Sequence, residues 1–527
     1  MSRSPIARLV IQLYRDSRGA ASAQMPVDEF VDWQAQFRSS RREFLGQSGR
    51  TIFAAAAATA SFSGSLSAAP TSTKKIAVVG AGLAGLTCAW RLRQAGFNAT
   101  VYEANARLGG RCYTRRGFFA QNQIVERGGE LIDTDHTAVQ GLAAELGLPL
   151  DDLHAAEPAG TLPFYHFGGK AYTYTQILKP FQAIYPALQS DLNAVGNVDY
   201  TTSTPRGTQL DFTSLAEYVE QLTEPNEDDV LAGLLNVAYN EEFGAETNQQ
   251  TGLNLLYLLG YSARDPFQIY GNSDERFHIR GGNDQLVSGL GSLLGNSIQT
   301  GSPLTAIRKL TDGRYTLTFD SGCSTRPTTV DHVVLALPFA VLRASVDFSK
   351  AGFSPLKQTA IQTLGMGANA KLQMQFRSRH WNTLGNNGDT YSDTGYQNTW
   401  ESTRAQSGNN GILVNFTGGN TTLEYATDTM NQIVSEALGA LEPVLPGLSS
   451  KYNGLSTLDY WPGNPWSRGS YAYWKVGQYT TIAGSEGVRE GNVHFCGEHT
   501  SFNWQGYLNG AVDSGNAAAA EVIADFD

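Results

Sequence analysis

From Lys74 onward, short apolar runs alternate with stretches of helical periodicity, and the first alternation is the clearest. Ile76 to Val79 is a continuous apolar run of strand length, Leu86 to Gln94 reads as a helix, and Ala99 to Tyr102 is again strand-like. This order predicts a βαβ unit with parallel strands. Further on, Ile279 to Leu290 gives a glycine turn followed by a helix, and Thr316 to Phe319 and Val330 to Leu337 read as strands of a meander. Helical patterns dominate residues 150–275, and strand-like runs mark Leu372 to Phe376 and Ile412 to Phe416. The C-terminal stretch reads as a strand, Gly497, a loop and an Ala-rich helix. The pattern predicts an interleaved chain. Residues 74–148, 276–355 and 462–527 are assigned to one domain, residues 149–275 and 356–461 to another, and residues 1–73 to a leader. The expected class is α/β of Rossmann type in the first domain and α+β overall.

Gly80, Gly82 and Gly85 stand at GxGxxG spacing between the first strand and its helix. Each glycine has a different task at a dinucleotide site: a tight turn, backbone approach to a pyrophosphate, and close packing of helix on strand. The helix N-terminus then offers N–H groups to phosphate. Glu103 ends the second strand about twenty residues on, where a carboxylate accepts from ribose hydroxyls. Glycine-rich turns are common, so this spacing alone is weak.

The chain has 527 residues, enough for two domains. Its 38 basic and 49 acidic residues give a net charge of −11, which argues against nucleic acid or anionic membrane as a partner. Cys88, Cys112, Cys323 and Cys496 are scattered without metal-site or disulfide spacing, so buried free thiols are expected. The leader carries SRREFL at Ser40 to Leu45, similar to a twin-arginine export signature, followed by a weakly apolar stretch ending in small residues. Export to the periplasm or outside is expected. The alternative is a retained helical extension on a cytoplasmic protein, since Ile6, Leu9, Val10 and Leu13 fall on one helical face. No stretch reaches the roughly twenty apolar residues of a membrane span.

After Glu103 comes RLGGR, Arg107 to Arg111, and near the other end CGEHT and WQGYLNG. On these motifs the chain resembles the flavin monoamine oxidase family from about Lys74 to its C-terminus, and around YNEEFG, Tyr239 to Gly244, and SDERFHIRGGN, Ser273 to Asn283, it most resembles a bacterial L-amino-acid oxidase. The resemblance implies an FAD domain of the glutathione-reductase type and a substrate domain with a mixed sheet and helices. It assigns FAD to Gly80, Gly82, Ala84, Gly85, Glu103, Ala104, Gly110, Arg111, Gly128, Gly129, Glu130, Leu131, Leu304, Gly497, Glu498, Gln505, Gly506, Tyr507 and Leu508. Lys371 falls where the family holds a water near the flavin, a lysine associated with reoxidation by oxygen. Tyr471 and Tyr507 match the two walls of an aromatic cage, with Trp504 nearby. Core packing is the competing reading in a chain with 23 tyrosines and 8 tryptophans. Ser470 stands where the monoamine oxidases proper tether flavin through cysteine, so noncovalent FAD is expected.

The implied reaction is oxidative deamination of an L-amino acid to a 2-oxo acid, ammonia and hydrogen peroxide, with molecular oxygen as acceptor. The alternatives are an amine or polyamine oxidase of the same fold and a non-catalytic FAD-binding electron-relay protein. A homodimer is expected. Animal-type L-amino-acid oxidases place an arginine where this chain has Leu131, so the cation for an α-carboxylate is sought at Arg468, Arg276 or Arg280, and Glu130 and Leu131 are assigned to the substrate with it. Glu130, Asp133, Asp135, Glu241 and Glu242 are candidates for a distal cation on the substrate.

Overall fold

A computed structural model describes residues 74–224, 229–320, 322 and 324–526. The leader features at Ser40 to Leu45 and Ile6 to Leu13 lie outside them. Ser72–Ile523 forms one compact unit, and Met1–Thr71 with Ala524–Asp527 a second, of which only residues 524–526 are described.

Among the described residues, five parallel strands form the first sheet, in the order Val493–Phe495, His332–Leu335, Ile76–Val79, Ala99–Tyr102, Ile298–Gln299. Ile76–Val79 lies at its centre and is buried along its whole length, which explains its unbroken apolar run. The helix that follows spans Leu83–Gln94 and starts earlier than its sequence pattern showed, because Leu83 and Ala84 are buried against the sheet and complete its first turn. A second sheet pairs Thr325–Val330, Tyr315–Asp320, Leu304–Lys309 and Asp347–Lys350. The apolar run from Val330 to Leu337 therefore splits. Val330 ends a meander strand, whereas His332–Leu335 crosses into the parallel sheet and is buried throughout.

A seven-stranded sheet carries the second set of segments, in the order Tyr452–Tyr460, Asn369–Phe376, Gly411–Gly418, Asn398–Glu401, Asn386–Ser392, Leu162–Phe167, Lys170–Tyr172. It is mixed: Asn386–Ser392 pairs in parallel with Leu162–Phe167, and its other pairings are antiparallel. The hairpin Leu162–Phe167 with Lys170–Tyr172 falls inside the stretch read as helical. The helices of that stretch, including Tyr174–Val195, Leu215–Thr223, Asp229–Phe243 and Gly252–Leu259, share a core with Tyr165 and Phe167 from the hairpin.

Alternation along Asn369–Phe376 gives the two faces of the sheet different characters. Leu372, Met374 and Phe376 pack with Trp381, Leu413 and Leu441. Lys371, Gln373 and Gln375 point the other way and are also buried, because the segment from Ala120 to Glu130 covers that face: Lys371 bonds Gly128 and Glu130, and Gln375 bonds Ala120 and Gln123. A lysine read in isolation as an edge residue is thus held inside the protein.

Candidate active site

The glycine turn has the shape of an empty cradle. A Cβ built on Gly80, where φ is +102°, would lie 2.6 Å from the Ala336 carbonyl oxygen, and one on Gly85 would lie 2.0 Å from that of Gly80. One built on Gly82 would meet nothing within 4 Å, and one on Gly110 would approach only the Gly82 Cα, at 3.6 Å. Gly80 and Gly85 are required by the protein's own packing. Gly82 and Gly110 border open space. Gly82 stands at the N-cap of the helix Leu83–Gln94 and makes no side-chain hydrogen bond to its first-turn N–H groups, which include that of Ala84.

The carboxylate of Glu103 accepts from the Ala81 N–H at 2.8 Å and the Asn105 N–H at 2.7 Å, beside Ala104. Burial raises its pKa against the pull of those bonds. Leu304 is buried at the start of its strand. These residues fit a dinucleotide: open room over glycine, free N–H groups at a helix start, and an acid at the end of the second strand.

Glu498 ties the C-terminal motif to this cradle. It accepts from Arg111 Nη1 at 2.7 Å and from the Gly506 N–H at 2.9 Å, and it lies 3.3 Å from the Ala472 N–H. Arg111 also donates to the Ser470 carbonyl at 2.6 Å. Gly497, with φ of +141°, places Glu498 there, and Gln505 donates to the His499 carbonyl at 3.3 Å. The C-terminal helix begins at Leu508, whose side chain closes over Gly129: a Cβ on Gly129 would come within 2.7 Å of it. Gly128 is as constrained, with the Arg111 carbonyl oxygen 1.9 Å from where its Cβ would sit.

Lys371 reaches this segment from across the sheet. Its Nζ donates to the Gly128 carbonyl at 2.8 Å and pairs with Glu130 Oε2 at 2.7 Å. Glu130 Oε1 accepts from the Trp400 indole at 3.1 Å, and Lys371 Nζ lies 5.1 Å from the centre of a Trp400 ring. The Glu130 carboxylate is therefore taken up by Lys371 and Trp400, which is not the free acid that a substrate-binding role assumes. Leu131 is half-buried and precedes Ile132, which bridges to Phe277.

The aromatic residues converge. Tyr471 packs beside Gly506, with its ring 3.5 Å from where a Cβ on that glycine would be, and its hydroxyl donates to the Glu242 carbonyl. Trp504 and Tyr507 meet His136 edge-on at centroid distances of 5.0 and 4.9 Å. Burial raises the phenol pKa of both tyrosines, and nearby carboxylates add to it, Glu242 foremost in each case. Asp133 and Glu275 lie within the same electrostatic reach of Tyr507.

Burial pushes Glu242 up to about 8, with a contribution from Asp133, and pushes Asp133 up to about 6. Glu275 is raised well above the ordinary carboxylate range by burial and then by Asp133 and Glu242. Its side chain is nonetheless exposed. Glu241 is buried and hydrogen-bonded by the Tyr270 hydroxyl, and Asp135 is exposed.

The sequence pattern gave no sign of Glu275, His136 or Trp400. Glu275 sits in a polar turn that reads as solvated, and the other two depend on strands and loops far apart in the chain. The arginines proposed for an α-carboxylate are placed elsewhere. Arg276 pairs with Asp152 at 2.7 Å and Arg280 with Asp151 at 2.7 Å, both across the strand pair Leu150–Asp152 and Phe277–Ile279. Arg468 is exposed on left-handed backbone, with φ of +55°.

Residues 83–523 match the family described as flavin containing amine oxidoreductase, and the chain belongs to that family. It is 24% identical over 481 residues to an L-amino acid dehydrogenase of Synechocystis, covering 86% of this chain and 96% of that protein. It is 24% identical over 472 residues to the flavin-containing amine oxidase B of Sus scrofa, covering 85% of this chain and 86% of that one. Among solved structures, putrescine oxidase bound to putrescine shares its fold at a TM-score of 0.74 and 20% identity, over 86% of this chain and 99% of that chain. The family implies FAD and small-molecule amine substrates, and the glycine cradle fits that cofactor.

Proposed function

We propose that the protein is an FAD-dependent oxidase that removes two electrons from the carbon bearing a substrate amine, and that its substrates are L-amino acids. FAD, when bound, supplies the two-electron acceptor and passes the electrons on to oxygen, giving hydrogen peroxide. The observation that carries this reading is the convergence of Tyr471 and Tyr507 beside the Gly506–Leu508 turn, with Lys371 held at the Gly128 carbonyl. Two aromatic faces orient an amine and favour its neutral form, because enclosure by apolar walls penalises the ammonium. The imine product hydrolyses in water to a keto acid and ammonia.

Gly82, the start of the helix Leu83–Gln94 and Glu103 would hold the dinucleotide end of the cofactor. Gly128 to Leu131, Glu498 and Gln505 to Leu508 would hold the flavin end, where a helix N-terminus stabilises negative charge. Lys371 would position a water for reoxidation. Serine at 470, hydrogen-bonded to Asn369, supports noncovalent attachment. The twin-arginine pattern supports export of a folded, flavin-loaded enzyme. Replacing Arg41 and Arg42 together by lysine is expected to leave the protein in the cytoplasmic fraction, and unchanged export would contradict that route.

The deciding experiment is peroxide release by the flavin-loaded protein against L-amino acids, their D-enantiomers and the matching decarboxylated amines. Turnover confined to the L-amino acids supports the reading. Turnover of amines that lack the carboxylate moves the protein to the amine oxidase branch. The Synechocystis relative is named a dehydrogenase. Turnover that needs an artificial electron acceptor, with no peroxide formed, would likewise overturn the choice of oxygen.

A further inference from the structure

Lys371 and Glu130 form an ion pair at 2.7 Å, with side chains only 7% and 6% exposed. Such a pair adds little net stability, because desolvation of the two ions offsets their attraction. Its geometry is more informative. Glu130 Oε2 accepts from Lys371 Nζ, and Oε1 accepts from the Trp400 indole at 3.1 Å. The main chain beneath is held by Asn283, whose Nδ2 donates to the Gly129 carbonyl at 3.1 Å and to the Glu130 carbonyl at 2.7 Å. Both oxygens and the backbone of this acid are fixed.

An ammonium has three N–H donors. On Lys371 the Glu130 carboxylate takes one, and the Gly128 carbonyl, at 2.8 Å, takes a second. Among the described residues no acceptor is bonded to the third. A neutral amine would spend both of its N–H groups on the same two partners and present a lone pair in place of the third donor. The donor left for a water therefore depends on the proton, and the proton on the counter-ion. The other charged groups on this face are committed elsewhere. Asp459, opposite Lys371 in the strand pairing, is bound by Arg127 and by Gln373 at 3.3 Å. Glu126 accepts from the Asn283 N–H at 2.9 Å and pairs at 2.9 Å with His278, which lies within electrostatic reach of Glu130. From the strands on the other side come Phe416 and Trp400, which carry no charge.

On the reading that Lys371 holds a water for flavin reoxidation, we infer that Glu130 is the positioning residue behind it, keeping Lys371 an ammonium and leaving its third N–H for that water. Glu130→Gln keeps an oxygen acceptor and the shape of the side chain but removes the charge. A buried ammonium without a counter-ion gives up its proton more readily, because burial disfavours the charged form. The variant then retains the third donor at low pH and loses it as pH rises.

The test is rapid mixing of flavin-loaded protein, photoreduced without oxygen, with oxygenated buffer across the range from about pH 6 to 9. No amine is needed, so the result does not depend on the substrate. The ratio of the Glu130→Gln to the wild-type reoxidation rate constant is expected to fall about tenfold or more across that range. The same ratio is expected to stay constant when both proteins also carry Lys371→Met, because Glu130 acts through Lys371. A constant ratio with Lys371 in place, or a fall that survives Lys371→Met, overturns the inference and leaves the role of Lys371 standing. Where Glu130→Gln fails to fold, wild type against Lys371→Arg carries the test, since a guanidinium keeps its proton throughout. Rate constants that run parallel with pH support Glu130 as the group that holds Lys371 charged, and a wild-type rate that falls away from the variant as pH rises overturns it. Lys371→Met protein reoxidised as fast as wild type overturns the reading of Lys371, and the inference with it.

Discussion

Gly82 and Gly85 separate what the fold needs from what the cofactor needs. Gly82 has φ of −72° and open space where a Cβ would go, so a larger side chain there costs the protein little. On Gly85 the same atom would lie 2.0 Å from a backbone oxygen. Gly82→Val is expected to give folded protein that purifies without flavin, measured by circular dichroism and visible absorbance, whereas Gly85→Val accumulates little folded protein. A fully yellow Gly82→Val protein would refute the cradle. Lys371→Met leaves Glu130 buried with only the Trp400 indole as partner, and removing one member of a buried pair costs about 3–5 kcal/mol. Denaturant titration should show that loss, and the double substitution with Glu130→Gln should recover most of it. In that double variant, rapid mixing should show flavin reoxidation slowed more than flavin reduction. Slowing of reduction alone would refute the role given to Lys371.

At the scale of elements, the glycine turn and the strand Asn369–Phe376 carry the two halves of the site, and they were legible to different degrees. Ile76–Val79 and Ala99–Tyr102 were readable because a central parallel strand is buried on both faces and shows an unbroken apolar run. The surroundings of Lys371 were not, since its side chain is covered by Gly128 and Glu130, more than two hundred residues earlier in the chain. The break after Val330 was missed because apolar residues continue across the corner between two sheets.

The helix Asp229–Phe243 delivers Glu242 to the cage, and this has a consequence for stability. Facing Glu242 are Asp133 from the loop after Leu131 and Tyr471 and Tyr507 from the C-terminal segments, while Glu275 responds to it from its own turn. Its folded pKa, about 8, exceeds the ordinary value of 4.5, so the folded state holds the extra proton between those limits. Stability from this group is present below about pH 4.5 and is lost as pH rises through about 8. Without substrate, the thermal midpoint should therefore fall from pH 5 to 8, and Glu242→Gln should flatten that fall. An equal slope in the variant would contradict the carboxylate's environment.

A parallel sheet and a mixed sheet send segments to one place, where Lys371 meets Gly128 and Glu130 and Arg111 meets Glu498. The first sheet supplies the glycine cradle and Glu103, the mixed sheet supplies Lys371 and Trp400, and the turn before the C-terminal helix supplies Trp504 and Tyr507. Two motifs near the ends of the described chain were sufficient for the family, because they form opposite walls of the same cradle, joined by Arg111 and Glu498. An amine bound between Tyr471 and Tyr507 is expected to give its electrons to flavin held in that cradle. The most direct measurement is the visible absorbance of the purified yellow protein mixed, without oxygen, with L-amino acids and amines. Bleaching of the flavin band by an L-amino acid, and its return on admitting oxygen, is the predicted result; a band unchanged by every amine would contradict it.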